Sequence, residues 1–72
     1  MSVTIDARGL SCPQPVLMTM DEIKGGSEKE IKVLVDSEAS KENVSRAAVS
    51  QGCKVVDIAQ DGEEYTISLA RD

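Results

Sequence analysis

Cys12-Pro13-Gln14-Pro15 is the segment of this sequence whose residue types carry chemistry of their own. A helix starting here leaves its first backbone N–H groups without intrahelical partners and turns the positive end of its dipole toward whatever precedes it. A thiolate is the species that such an end stabilises. Free cysteine has a pKa of about 8.5, and lowering it by about 1.5 units, roughly 2 kcal/mol, makes half of it thiolate at pH 7. A helix terminus supplies about 2 kcal/mol in a favourable, partly buried geometry. No Asp or Glu occurs from Cys12 through Met20, so the place is left open for an anion. Pro13 and Pro15 fix φ near −65° and remove two backbone donors, which leaves the amides of Gln14 and Val16 in a stiff frame.

What is missing narrows the chemistry. The sequence contains no histidine, so a His-based triad and a structural zinc site are excluded, and no metal or cofactor is expected. Pro15 stands where a Cys-x-x-Cys motif would hold its second thiol, so dithiol exchange lacks a local resolving partner. A nucleophilic thiol without base, metal or resolving partner suits a simpler task, the carrying of a group, and sulfane sulfur fits it. Selenium handled by the same thiolate is the neighbouring alternative. The bland reading of Cys12 is a buried cysteine at a helix cap with an ordinary pKa, in a regulatory or adaptor module that binds a protein partner. Arg8, four residues earlier, has two readings as well: a positive charge near the thiol, or a surface pair with Asp6.

Periodicity supplies the elements that position this segment. Val3, Ile5 and Ala7 alternate with polar residues as a strand that ends at Gly9. A helix is predicted over 13–24, with Pro13 at its first position, Val16, Met20 and Ile23 inward, Leu17 flanking them, and Lys24 with Gly25-Gly26 as its stop. Met18 lies off that stripe and is expected at the surface, where it offers a docking contact or is a scattered apolar residue. Ile31, Val33 and Val35 make a second strand. A second helix is predicted from Ser40 as N-cap, with Glu42 in its first turn, Val44, Ala47 and Ala48 on one face, and an end at Gly52. Val56 and Ile58, with Asp57 outward between them, mark a third strand. A turn at Asp61-Gly62 joins it to a fourth carrying Tyr65, Ile67 and Leu69. Glu28-Lys29-Glu30 and Glu63-Glu64 read as solvated loop and turn residues. The expected fold is α/β (α+β): a two-layer sandwich, β-α-β-α-β-β, with a mixed four-stranded sheet and two helices on one face.

Length and composition agree with so small a design. Seventy-two residues, 40 % of them apolar and without Phe or Trp, allow one domain over 1–72 with an aliphatic core. Eight basic residues against thirteen acidic give a net charge of −5, which argues against direct nucleic-acid binding. The longest apolar run is three residues and the first residues lack a secretory signal's pattern, so no membrane span and a cytoplasmic setting are expected, with both thiols free. Cys53, after Gly52, is expected to pack in the core, at the far end of the sheet from Cys12 and out of disulfide reach.

The run Asp6-Ala7-Arg8-Gly9-Leu10-Ser11-Cys12-Pro13-Gln14-Pro15-Val16 resembles the signature of the TusA-like (SirA/YedF) sulfur carriers, and the resemblance extends over nearly the whole chain. Its specific part is Gly-Leu-x-Cys-Pro-x-Pro opening the first helix. Arg8 before Gly9, and Gln14 between the prolines, look more like the YedF-type and general-purpose members than the branch devoted to tRNA thiouridine synthesis. The resemblance implies that Cys12 is the residue that becomes persulfidated, with Arg8, Gly9, Leu10, Pro13, Gln14 and Pro15 shaping its site. It implies a sulfurtransferase or sulfur carrier, monomeric, that takes sulfur from a cysteine desulfurase or rhodanese-like donor and passes it to an acceptor protein of a sulfur relay.

Overall fold

A computed structural model of the chain describes residues 2–11, 13–26 and 29–71. The element order is β1 (Ser2–Asp6), α1 (Gln14–Gly25), β2 (Glu30–Val35), α2 (Glu38–Ser50), β3 (Cys53–Asp61) and β4 (Glu64–Arg71). The four strands form one sheet in the order β1-β2-β4-β3. β1 and β2 run parallel, and β4 is antiparallel to both of its neighbours, so the first three strands share a direction. The expected two-layer α+β architecture is the one observed.

The period-two pattern works because the register brings apolar residues side by side on one face. Val3 lies opposite Ile31 and Ile5 opposite Val33. Ile31 then faces Leu69, and Val33 faces Ile67. These residues join Ile23 of α1 and Val44 and Ala48 of α2 in one core cluster, which places both helices over the same face. The other face carries Thr4 and Lys32 beside Ser68 and stays open to water. Cys53 is buried in the core, as expected.

Four local expectations differ from the structure. In α1 the buried face is Pro15, Thr19 and Ile23, while Val16 and Met20 are only half-buried and Leu17 is 49 % exposed. Met18, expected at the surface, is half-buried against the core. The helix is rotated because Thr19 satisfies its own hydroxyl by donating to the Pro15 carbonyl at 2.9 Å, so a polar residue is buried without loss. Second, α2 begins earlier than Ser40. Ser37 is the N-cap, and its Oγ accepts from the Ser40 N–H at 3.1 Å. Glu38 rather than Glu42 is then the first-turn acid, on the favourable side of the dipole.

The third difference lies in β3, where a register shift between Val55 and Asp57 makes a bulge. The bulge breaks the alternation, leaving Val56 65 % exposed and Ile58 40 % exposed at the sheet's edge. Fourth, Glu30 and Glu64 are the first residues of β2 and β4 rather than loop residues, although both are exposed. Glu28 lies outside the described residues. The β3–β4 connection is Gly62-Glu63, with Gly62 at φ +65°, which suits the first position of a tight hairpin turn.

The C-terminal end of α1 is tied to the sheet. At its C-terminus the Gly26 N–H donates to the Glu22 carbonyl at 2.8 Å. The Arg71 guanidinium, from the last strand, donates to the Ile23 carbonyl at 2.6 Å, placing a cation at the negative end of the helix.

Candidate functional site

The ends of three strands bring the motif's surroundings together. β1 and β2 are parallel, so the loop leaving Asp6 and the segment leaving Val35 emerge at one end of the sheet. β4 is antiparallel to β2 with Tyr65 opposite Val35, which brings Glu64 to the same end. Loops beyond the C-terminal ends of parallel strands are a recurrent place for function in α/β sheets. Here that end carries residues 8–11 of the loop leaving β1.

The base of this loop is fastened by charge. Ala7 closes the β1–β2 ladder by donating its N–H to the Leu34 carbonyl at 2.9 Å. Arg8 then doubles back. Its Nε donates to Asp6 Oδ1 at 2.9 Å, its Nη2 to Asp6 Oδ2 at 2.8 Å, and its backbone N–H to Asp6 Oδ1 at 3.2 Å. Its Nη1 also reaches Glu64 Oε1 at 3.2 Å. Of its two readings, Arg8 takes the surface pair, and Glu64 is added as a second carboxylate. The Arg8 side chain followed by its backbone N–H holds the Asp6 carboxyl down to about 2, while Asp6 and then Glu64 push the guanidinium further up.

The sign of the pH dependence follows. A carboxyl with a depressed folded-state pKa contributes stability that is present above its ordinary value of 3.8 and lost as pH falls through about 2. Urea unfolding of wild type and Asp6→Asn between pH 5 and pH 2 (roughly the span of such a titration) is expected to show a difference that is constant above about pH 4 and shrinks below it. Added salt is expected to reduce the difference at every pH, because the pair is exposed.

Gly9 has φ +78°, in the left-handed region, and donates its N–H to Asp36 Oδ2 at 2.7 Å. Nothing lies within 4 Å of where a Cβ would stand, so a substitution meets backbone strain alone. Gly9→Ala is expected to lower stability by about 1 kcal/mol, read as a shift in urea midpoint, and Gly9→Asn by less, since Asn tolerates this conformation better. Leu10 is 38 % exposed and Ser11 is exposed. Cys12 lies outside the described residues.

After Cys12 the start of α1 is displaced by one residue from the expected one. Pro13, with φ −100° and ψ 17°, is the N-cap, Gln14 is the first helical residue, and Pro15 is the buried second. Proline suits a cap that needs no donor. The Gln14 N–H, expected to be open, donates instead to the Ser11 carbonyl at 2.9 Å, closing a turn across 11–14. Leu17 makes the first helical bond, to the Pro13 carbonyl at 3.0 Å. Among the described residues no side chain caps this helix, and its first turn holds no acid. In α2, by contrast, both Ser37 and Glu38 fill those roles.

Beside Pro13 a shallow groove of about 460 Å³ runs between the helices, lined by Pro13, Val16, Asn43, Arg46, Ala47 and Ser50. A larger concavity, about 590 Å³, opens between α2 and Ile58 at the β3 edge; it shares Arg46 and Ser50 with the groove, but no described residue of the motif lines it. We therefore place the site at the start of α1, where the residue chemistry lies. Asp36, Glu64 and Arg46 are the residues here that sequence reasoning missed. None carries a local signal, since each arrives from another element. Among the described residues, no three His, Cys, Asp or Glu side chains converge as metal ligands, and no helix is long and apolar enough to cross a membrane.

Comparison with known proteins adds to this geometry. Residues 3–71 match the family described as sulfurtransferase TusA. Among solved structures, a SirA-like protein from Desulfitobacterium hafniense is similar, with a TM-score of 0.82 and 27 % identity over 94 % of this chain and 95 % of that one. No curated protein matches the sequence. The match over residues 3–71, borne by a two-helix, four-strand sandwich, makes this chain a member of the TusA sulfurtransferase family.

Proposed function

We propose that this protein is a sulfur carrier in which Cys12 is the carrying residue. The Cys12 thiolate attacks the terminal sulfur of a persulfide on a donor protein. The donor's S–S bond breaks, its electron pair leaves on the donor sulfur as thiolate, and the sulfane sulfur ends bonded to Cys12. Delivery is the same displacement run by the thiolate of an acceptor protein. No general base is needed, because the attacking species is already an anion.

The observation that carries this reading is the start of α1, uncapped by any side chain among the described residues and free of acid in its first turn, directly after Cys12 in sequence. An anion at that position gains from the helix dipole. Arg8, engaged by Asp6 and Glu64, fastens the base of the loop rather than offering charge to the sulfur. Gly9, Leu10, Pro13, Gln14 and Pro15 set its path and stiffness. The shallow groove at Pro13, with Leu10 and Leu17 exposed on the same loop and helix, suits brief docking of a cysteine desulfurase or rhodanese-like donor, then of a relay acceptor. In this reading the protein works as a monomer in the cytoplasm, where thiols stay reduced.

Radiolabelled sulfur passed from cysteine through a desulfurase tests the whole cycle. The expected result is label bound to the protein and then transferred to a cysteine of a second protein, without loss as free sulfide. A chain that takes up no label, or surrenders it only as sulfide, overturns the reading.

A further inference from the structure

We propose that Asp36 is a positioning residue for sulfur transfer, an inference that rests on the carrier reading above. Its carboxylate accepts the Gly9 N–H and so holds the loop that leads to Cys12. The bond is short, 2.7 Å, as charge-assisted N–H···O⁻ bonds are. It spans 27 positions of sequence and joins two segments whose own places are secured. Asp36 follows the last residue of β2 and precedes Ser37, the cap of α2. Gly9 follows Arg8, whose side chain is clamped by Asp6 and Glu64.

Among the described residues, the loop's other backbone hydrogen bonds beyond Ala7 are local. The Arg8 N–H turns back to Asp6, and the Ser11 carbonyl accepts from Gln14. Beyond the ladder bond at Ala7, the Gly9–Asp36 contact is thus the tie between this loop's backbone and another element among the described residues. Gly9 is also the loop's left-handed residue, so a tie at its amide restrains the bend that directs the chain toward the helix.

Because this bond is exposed, water screens its charge and it biases a conformational balance by about three- to tenfold, as an ordinary hydrogen bond does. Sulfur loading from a desulfurase is therefore expected to be about three- to tenfold slower at saturating donor in Asp36→Ala, with the half-saturating donor concentration unchanged. Asp36→Asn keeps an acceptor oxygen while losing the charge, and is expected to load at nearly the wild-type rate. Hydrogen exchange at the Gly9 amide, measured under native conditions, reads the tie without sulfur: it is expected to be faster in Asp36→Ala and protected in Asp36→Asn. Should Asp36→Ala fail to fold, Asp36→Asn and the Gly9 exchange rate in wild type still decide. An unprotected Gly9 amide in wild type, equal loading by Asp36→Ala and wild type, or equal slowing in the Asn and Ala variants overturns this role alone. A wild type that takes up no sulfur overturns the carrier reading and this role with it.

Discussion

Cys12→Ser is expected to abolish sulfur loading, while Cys53→Ser leaves it intact. A serine hydroxyl does not ionise near neutral pH and forms no persulfide, so no partial activity is expected to remain. Cys53 cannot substitute. It is 5 % exposed, within the core cluster. It also stands at the far end of the sheet. Cys53 pairs with Arg71, whereas the row level with Leu34 and the outgoing loop reaches β3 at Ala59 through Thr66. The six residue steps from Cys53 to Ala59 span about 20 Å. Intact-mass analysis after incubation with a desulfurase and cysteine is the measurement: one added sulfur on wild type and on Cys53→Ser, none on Cys12→Ser. Sulfur found at Cys53 sinks the assignment. The alkylation rate of Cys12 against pH is a second readout, expected to place its thiol below the ordinary value of about 8.5.

Ile67→Ala is expected to remove a large share of the protein's stability. Ile67 is fully buried on β4, the strand inserted between β2 and β3, with Val33 on one side and Ile58 on the other. Truncating a buried Ile to Ala costs about 2–5 kcal/mol through lost transfer energy and the cavity left behind. A domain of this length holds about 4–11 kcal/mol in all. The core has no Phe or Trp that would swing in to fill the space. A urea unfolding curve is therefore expected to shift to much lower denaturant. Ile58→Ala, on the same row but 40 % exposed, is expected to shift it by far less. Equal shifts for the two variants contradict the packing described here.

These two expectations draw on different sources. The role proposed for Cys12 rests on the residues around it in sequence. A cysteine followed by two prolines, with no acid over the next turns, indicates an anion-favouring helix start wherever the rest of the chain goes. The strand residues Ile31, Val33, Val35, Ile67 and Leu69 were legible, since alternation is a local property that burial of one sheet face enforces. Helix faces were less so. The choice between Met20 and Thr19 as the buried residue turned on a hydroxyl that satisfied itself on the Pro15 carbonyl.

What the linear pattern could not contain is which distant residues meet. Glu64 reaches Arg8 across 56 positions, and Asp36 reaches Gly9 across 27, because β4 lies beside β2 and β1 runs parallel to it. Strand order and register arise from the packing of the whole sheet, and nothing within a few residues of Arg8 or Gly9 encodes them. The exposed Val56 is a similar case, set by a bulge in the pairing of β3 with β4. Residue type and short spacing thus pointed to the chemistry proposed and determined most of the elements that frame it, since dihedral limits, dipoles and periodicity act over a turn or two. The carboxylates that hold the loop in place came from the assembled sheet, because hydrogen bonds between remote segments exist only once the register has brought their ends together.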